Sequence, residues 1–519
     1  MRVFVTLGLI LYTSVLFAQE PLDAIRYSWV TPQGTARAQS IGGAMSALGG
    51  DITALYTNPA GLGMYKTSEF VLSPGYTFSN NKSSYRGTSA TDSKSGFNYG
   101  PIGVVWGIPS YKNNKWKNVS VGLALSKTAN FKNRILTEGD NNQSSFSEKY
   151  LDQLFNNGNP VSLNSAENDF PSSASLAYWT FLVDTIADSN GDIAGYFSNA
   201  SVGTGLKQRQ TITTSGGISD FSIGLGANYN DKIYIGGSIN INTLTFTRTS
   251  TFHESDATND PNNNFNYFEA EEYLKTDGVG ASVKLGIIFK PVEALRVGIN
   301  FHSPSWYSFK DTYTGSLTAD TEGYAGTQTK HSTDLTDGYP GEYNYRYRTP
   351  LRIGAGLAYI FGAESDVKAQ KGFLSADVEY VSYKGSSFNA QNNNNQDDLS
   401  YFSQLNSTID KVFKSALNLR IGGELKFETL MVRAGFSYYG NPYTNNYFDN
   451  KAQDITKGSR MNISGGLGWR NKGMFVDLAY IHQIIRDAYY PYRIDVNDYN
   501  VAKVNSTVGN ILLTVGFKF

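Results

Sequence analysis

The chain contains no cysteine. That excludes a disulfide scaffold, a thiolate zinc site and a lipid anchor on an N-terminal Cys. Charge is sparse and balanced: 44 Lys and Arg against 45 Asp and Glu, 17% charged in all, net −1. Neither nucleic acid nor an anionic membrane surface is signalled as a partner. Only four histidines occur, His253, His302, His331 and His482, and they are scattered. No H-E-x-x-H, G-x-S-x-G, zinc-ligand cluster or phosphate-binding glycine loop is present. His302-Ser303 is an adjacent base–nucleophile pair in the seventh strand segment, and neighbours on a strand point to opposite faces. The expectation is no catalytic residue, no metal, no cofactor and no enzyme. Long apolar runs are missing except at the start. There Arg2 precedes the apolar Val3–Phe17, and Ala18 follows. The run falls short of the roughly 20 residues of a spanning helix and reads as an export signal over 1–18.

What is abundant is glycine (52), tyrosine (35) and phenylalanine (30) in 519 residues. This suits a barrel with aromatic girdles. Fourteen segments alternate with period 2, near 68–78, 97–108, 119–131, 219–228, 232–249, 273–290, 295–309, 346–362, 371–383, 414–428, 430–440, 459–471, 474–489 and 506–519. In one, Ile233, Ile235, Ile239 and Ile241 oppose Tyr234, Gly236, Ser238 and Asn240. The connections alternate too. Those at 79–96, 132–218, 250–272, 310–345, 384–413, 441–458 and 490–505 are long, and those between them are short. Short turns on one side and long loops on the other predict a transmembrane β-barrel with both termini in the periplasm. The expected fold is all-β: a 14-stranded antiparallel outer-membrane barrel over 67–519, preceded by a small helical plug over 19–66. The largest outer loop is 132–218, and the polar tracts 254–264 and 386–400 read as solvated loop tips.

The plug reading rests on Thr35–Met64, a small-residue-rich stretch with little charge. Ile41, Ala44, Met45 and Leu48 fall on one helical face, Gly49-Gly50 supply a stop, and Asp51 can N-cap a second short helix. Asn58-Pro59 ends that helix. The sequence GGAMSALGGD followed by ALYTNPAGLGM, with its core Asn58-Pro59-Ala60-Gly61, resembles the N-terminal hatch of the FadL/TodX-type outer-membrane transporters of long-chain fatty acids and hydrocarbons. The closing strand, with Ile511, Leu513, Val515, Phe517 and Phe519 on one face, resembles the recognition signal of bacterial barrel assembly. The resemblance implies a monomeric channel for passive uptake of a hydrophobic small molecule or fatty acid. It further implies capture at the loops, binding in the lumen, plug movement and lateral release into membrane lipid. The alternative is a FadL-like barrel acting as an interaction component of a secretion system, as in the type IX shuttle barrel.

Candidate site residues follow from this reading. Gly42, Gly43, Asp51, Asn58, Pro59, Ala60 and Gly61 would shape and gate the plug. Gly100, Pro101 and Gly103 interrupt the second strand, because proline cannot donate to a ladder and glycine marks bends; in the resembled family a kinked early strand opens a lateral gap. Tyr178, Trp179, Phe181 and Leu182 lie in an apolar stretch, 173–183, that could form a helix and a greasy landing site on the largest loop. Alternation turns Lys284, Arg296, Arg352, Asp377, Glu379, Arg420, Glu424, Arg433, Arg470 and Asp477 to the lumen. Among them Arg352, Arg420 and Arg433 are candidates for a substrate carboxylate.

Overall fold

The computed structural model describes residues 21–29, 33–110, 114–156, 158–362, 370–392, 394–444, 458–494 and 501–519. The expected export signal, 1–18, lies outside the described residues. Fourteen antiparallel strands close into a barrel. Strand β1 is built of Glu69–Leu72 and Pro74–Tyr85, β2 of Thr88–Tyr99 and Ile102–Pro109, and β3 of Trp116–Asn130 and Asn133–Asn141. Then come β4 (Leu206–Tyr229), β5 (Ile233–Asp256) and β6 (Tyr267–Val292). Three interrupted strands follow: β7 (Leu295–His302, Trp306–Asp320), β8 (Gly341–Arg348, Arg352–Phe361) and β9 (Gly372–Val381, Ser387–Ala390). The last five are β10 (Ala416–Phe427), β11 (Leu430–Tyr439), β12 (Arg460–Asn471), β13 (Met474–Tyr489) and β14 (Ala502–Lys518). Closure joins β14 to β1, with Phe517 opposite Phe70 and Ile511 opposite Tyr76.

The two faces of the wall follow the pleat. On β5, Ile235, Ile239 and Ile241 are 41%, 62% and 46% exposed, whereas Ser238 and Asn240 are buried. The exposed aliphatic face can meet lipid, and the polar face points into the lumen. No helix among the described residues is long and apolar enough to cross a membrane.

The strands run well past this apolar band, and here the structure departs from expectation. Residues 79–96 are not a long loop. Pro74–Tyr85 and Thr88–Tyr99 form one hairpin whose tip is Arg86-Gly87, at φ 47° and 85°. Both positive φ values suit a two-residue turn matched to strand twist. The hairpin is polar on both faces, so it carries no hydrophobic alternation to betray it. Likewise 250–256, 267–272 and 310–320 are strand. The tract 386–400 also holds structure: Asn395 caps a helix, Gln396–Val412, that buries Phe402, Leu405 and Ile409 in the lumen mouth. The stretch 173–183 is helical only over Ala174–Trp179; Val183 already begins a strand.

Candidate functional site

Residues 33–66 fill the barrel, but not as two helices. The first helix is Ala36–Ser40, and it stops at Gly42 and Gly43 with φ 69° and 77°. Ile41, Ala44, Met45 and Leu48 lie beyond it in turns and are buried nonetheless. A plug packed on all sides buries residues at every spacing, so apolar periodicity says little there. Asp51 does cap Ile52–Leu55: its Oδ1 accepts from Thr53 N at 2.9 Å, and its Oδ2 accepts from Thr35 Oγ1 at 2.8 Å. Asn58-Pro59 starts an element rather than only ending one. Asn58 Oδ1 accepts from Ala60 N at 3.1 Å, and Pro59 takes the first position of the 3-10 helix Pro59–Met64. Proline's fixed φ and missing N–H suit that position.

The other end of the Asn58 side chain holds the plug to the wall. Its Nδ2 donates to the Ser46 carbonyl at 2.6 Å and lies 3.4 and 3.3 Å from the carbonyls of Ile287 on β6 and Ile299 on β7. Asn58 is fully buried. It can approach so closely because the wall is bare there. Gly286 lies beneath the Asn58 side chain, and Gly236 lies beneath Pro59 and Ala60. Gly226 meets Gly63, Gly298 meets Ser46 and Ala47, and Gly422 and Gly435 meet Ile41 and Gly42. A Cβ on Gly236 would sit 2.7 Å from Ala60 N. These glycines are matched across strands: Gly226 with Gly236, Gly236 with Gly286, and Gly422 with Gly435. They form a belt on which the plug backbone rests directly. Sequence reasoning missed it, although each glycine stands at an inward position of an alternating strand.

The charged lumenal residues divide into two groups. Toward the short-turn end, Arg433 is wholly buried, donating to Glu424 Oε2 and Asp477 Oδ1 at 2.6 Å each. Arg37 of the plug lies 3.5 Å from the same Glu424. A buried arginine needs such partners, and two carboxylates satisfy it. Toward the long-loop end, the plug leaves a cavity of about 110 Å³. Gly43, Ser46, Tyr56 and Thr57 form its floor, and Tyr27 and Trp29 stand among its lining residues from the first described segment. Its wall carries Asp220, Lys284, His302, Arg352, Glu379 and Arg420. Arg420 is held by Glu379. Arg352 Nη2 donates to the Ser28 carbonyl at 2.7 Å and has no carboxylate within 4.0 Å among the described residues. His302 Nε2 lies 2.6 Å from the Thr57 carbonyl, so it braces the plug. The cavity thus gathers Gly43, Arg352 and Arg420 but not Arg433.

Above the cavity, Tyr27 sits edge-on to Phe246, Phe309 and Tyr347, and Tyr347 Oη donates to the Ala24 carbonyl at 2.7 Å. The first described segment therefore lies in the lumen on the loop side of the plug. Over the mouth, 144–206 fold into a cap with its own apolar core, including Leu176, Leu182 and Val183. Leu182 is inside this core, while Trp179 and Phe181 are 39% and 38% exposed beside Tyr178. The cap is tied to β5 by Glu254, which accepts from Ser145 Oγ, from Phe146 N at 3.1 Å and from Gln208 Nε2 at 2.6 Å. Burial pushes its carboxyl up to about 7.

The wall is discontinuous at Gly100-Pro101. Below it, Ile102–Pro109 pair with β3 and with the start of β1; above it, Thr88–Tyr99 pair, among the described residues, only with β1. Strand β3 turns inward after Asn130, and among the described residues its upper half pairs with β4 alone. That half lies across the lumenal face of β1, where Ser79 Oγ and Asn81 Nδ2 donate to Asn133 Oδ1 at 2.9 and 2.7 Å. Among the described residues, no ladder joins Thr88–Tyr99 to Asn133–Asn141. Gly100 packs against the plug, where a Cβ would lie 2.8 Å from the Gly34 carbonyl, and Gly103 abuts Leu123 and Ala124. Thr128 and Ala129, just before the inward turn, also line the cavity.

The chain is similar in fold to a Pseudomonas aeruginosa FadL homologue, at 13% identity over 95% of this chain and 100% of that one, with a TM-score of 0.56. It also aligns with the Pseudomonas putida toluene transporter TodX (12% identity, 94% and 99% covered, TM-score 0.49). The Ralstonia pickettii toluene transporter TbuX aligns likewise (12%, 94% and 99%, 0.47). No curated protein matches the chain. Residues 216–519 match the family model of outer membrane protein transport proteins (OMPP1/FadL/TodX). The chain belongs to that family and is a transport protein of the bacterial outer membrane.

Proposed function

We propose that the protein carries hydrophobic compounds, long-chain fatty acids among them, passively across the outer membrane. The observation that carries this reading is the adjacency of the lumenal cavity to the break in the wall. A ligand captured at Tyr178, Trp179 and Phe181 on the cap enters the mouth, with the long loops facing outward. It binds above the plug, where Arg352 is the cation available to a carboxylate. It then leaves sideways past Gly100-Pro101 into the membrane, so its apolar chain need not cross water. The present cavity, about 110 Å³, is smaller than the roughly 300–1,000 Å³ of ordinary ligand pockets. Binding therefore needs Tyr27 and Trp29 to move. The plug body, seated on glycine, is the less mobile part.

The test is uptake of a radiolabelled long-chain fatty acid and of toluene by cells with and without the protein, beside mass spectrometry of lipids that copurify with the barrel. Uptake of either that depends on the protein supports the reading. Unchanged uptake of both, with loss of exported proteins on deletion, favours a secretion role and overturns it.

A further inference from the structure

We propose that Lys94, Lys127 and Lys132 line the break in the wall as a path for a negatively charged headgroup, so that the compound released sideways is an anionic amphiphile rather than a neutral hydrocarbon. This rests on the lateral-release reading above and adds the substrate class.

The three lysines come from both sides of the break. Lys94 belongs to the upper half of β2, which pairs with β1 on its other side, and its Nζ donates across the break to the Thr214 carbonyl of β4 at 2.9 Å. Lys132 stands at the inward turn of β3, and its ammonium lies over Gly96 of β2. Lys127 reaches over Gly217 of β4. Lys132 and Arg134 crowd Lys94, and Lys132 crowds Lys127. Like charges so placed are unfavourable unless something negative comes between them.

The surroundings do not supply it. Among the described residues, none of the three lysines has a carboxylate within 4.0 Å, and the nearby Asp92 is taken by Arg134 at 3.1 Å. Several lumenal cations differ, with Arg352 the exception. Arg420 and Arg433 are held by carboxylates, and Lys284 lies 3.9 Å from Asp220. Depth points the same way. The outward aliphatic band of β4 and β3 ends at Phe221 and Leu125, which face each other, and Lys127 is the next outward residue on β3, opposite Ser219. Lys127 therefore stands at headgroup level, just above the hydrocarbon. Lys94, on the inward face, is close to the cavity side, where Thr128 and Ala129 lead to Lys132. A resident lipid on the outer surface would need only the outward lysine. Cations from the inner to the outer face suit an anion in transit. A carboxylate or phosphate meets charge-assisted donors all the way, while its chain follows the exposed Phe97 into the membrane.

The experiment compares uptake of a labelled long-chain carboxylate with that of its methyl ester in cells carrying wild type, K94Q/K127Q/K132Q, K94R/K127R/K132R or Gly96→Trp, each checked for heat-modifiable gel mobility. The triple Gln variant should lower the carboxylate-to-ester ratio at least tenfold, and the triple Arg variant should restore it. An unchanged ratio, or failure of Arg to restore it, overturns the lysine path. Gly96→Trp fills the break against the flexible end of Lys132 and should stop both compounds. If it blocks both while the Gln variant leaves the ratio alone, only the anion path fails. If it blocks neither, lateral release itself fails. Copurifying lipid phosphate is measured in parallel. Its loss in the Gln variant with an unchanged ratio would make the cluster a resident-lipid site and overturn the proposal.

Discussion

The two ends of the lumen are built on different contacts. Toward the short turns, the plug backbone rests on glycines, and plug backbone atoms are the nearest neighbours at Gly236, Gly422 and Gly435. Toward the long loops, rings fill the space: Tyr27, Phe246, Phe309, Tyr347 and Phe388 stack and cross. A backbone on bare backbone has one way to fit. Side chains can change rotamer and leave a larger cavity with the wall unmoved. The contrast assigns anchorage to one end and adaptability to the other.

The strongest way to break this contrast is to add side chains to the belt. Gly236→Val with Gly286→Val forces atoms against Asn58, Pro59 and Ala60. The cost is on the order of 2–6 kcal/mol if each site behaves as an overpacked core. The barrel should survive by strand pairing while the plug is displaced. The expected result is retained heat-modifiable mobility with a large rise in single-channel conductance. Wild-type conductance would show that the belt is not a seat.

The cap offers a test of the adaptable end. The Glu254 carboxyl titrates at about 7 in the folded cap, against roughly 4.3 when unfolded. The folded state thus binds the proton more tightly. That contribution, on the order of 3 kcal/mol, is complete below pH 4 and is lost as pH rises through 7. Protease cleavage within 144–206 should therefore be faster at pH 8 than at pH 5, and Glu254→Gln should remove the difference. Cleavage independent of pH in the wild type would rule out this tie.

A smaller effect is expected from N58A/P59A. It leaves the Ala60 N–H and the Ser46 carbonyl without the partners seen here, costing about 1–3 kcal/mol. The plug should loosen without leaving: a small ion leak and altered dye uptake, with normal gel mobility. Conductance and uptake equal to wild type would make this turn merely structural. Least disturbing are epitope tags. At Asn262, on an exposed loop tip, a tag should be accessible on intact cells; at Asn471, beside the tight turn to β13, it should not. The reverse pattern would invert the assignment of the two ends.

Where lipid dictates the pattern, the sequence was legible. The outward Val, Ile and Leu of β3, β5 and β10 alternate because one face meets hydrocarbon, and the strand count follows from them. Beyond the bilayer that constraint ends, so the polar hairpin at Arg86-Gly87 read as a loop. Within the plug a different constraint applies: Ile41 and Leu48 are buried in turns, and helical spacing misled. Asn58-Pro59 was legible as a punctuation point, but only the structure shows that it opens a helix and pins two wall strands. The belt was hidden because it depends on which glycines face one another across strands, a register no single segment contains. The lysines at the break were hidden for the same reason, since Lys94, Lys127 and Lys132 meet only once β3 has turned inward.

The belt also joins the plug to the seam of the barrel. Ser68, at the end of the plug, exchanges both backbone hydrogen bonds with Phe519, and Ala36 donates to Thr514. Those contacts join residues far apart in sequence, the slowest kind of pairing to form. A plug whose backbone touches the wall on so many strands has no clearance to slide into a finished cylinder. The strands surround it as staves surround a mandrel, and Phe519 meets the end of the plug where the cylinder closes.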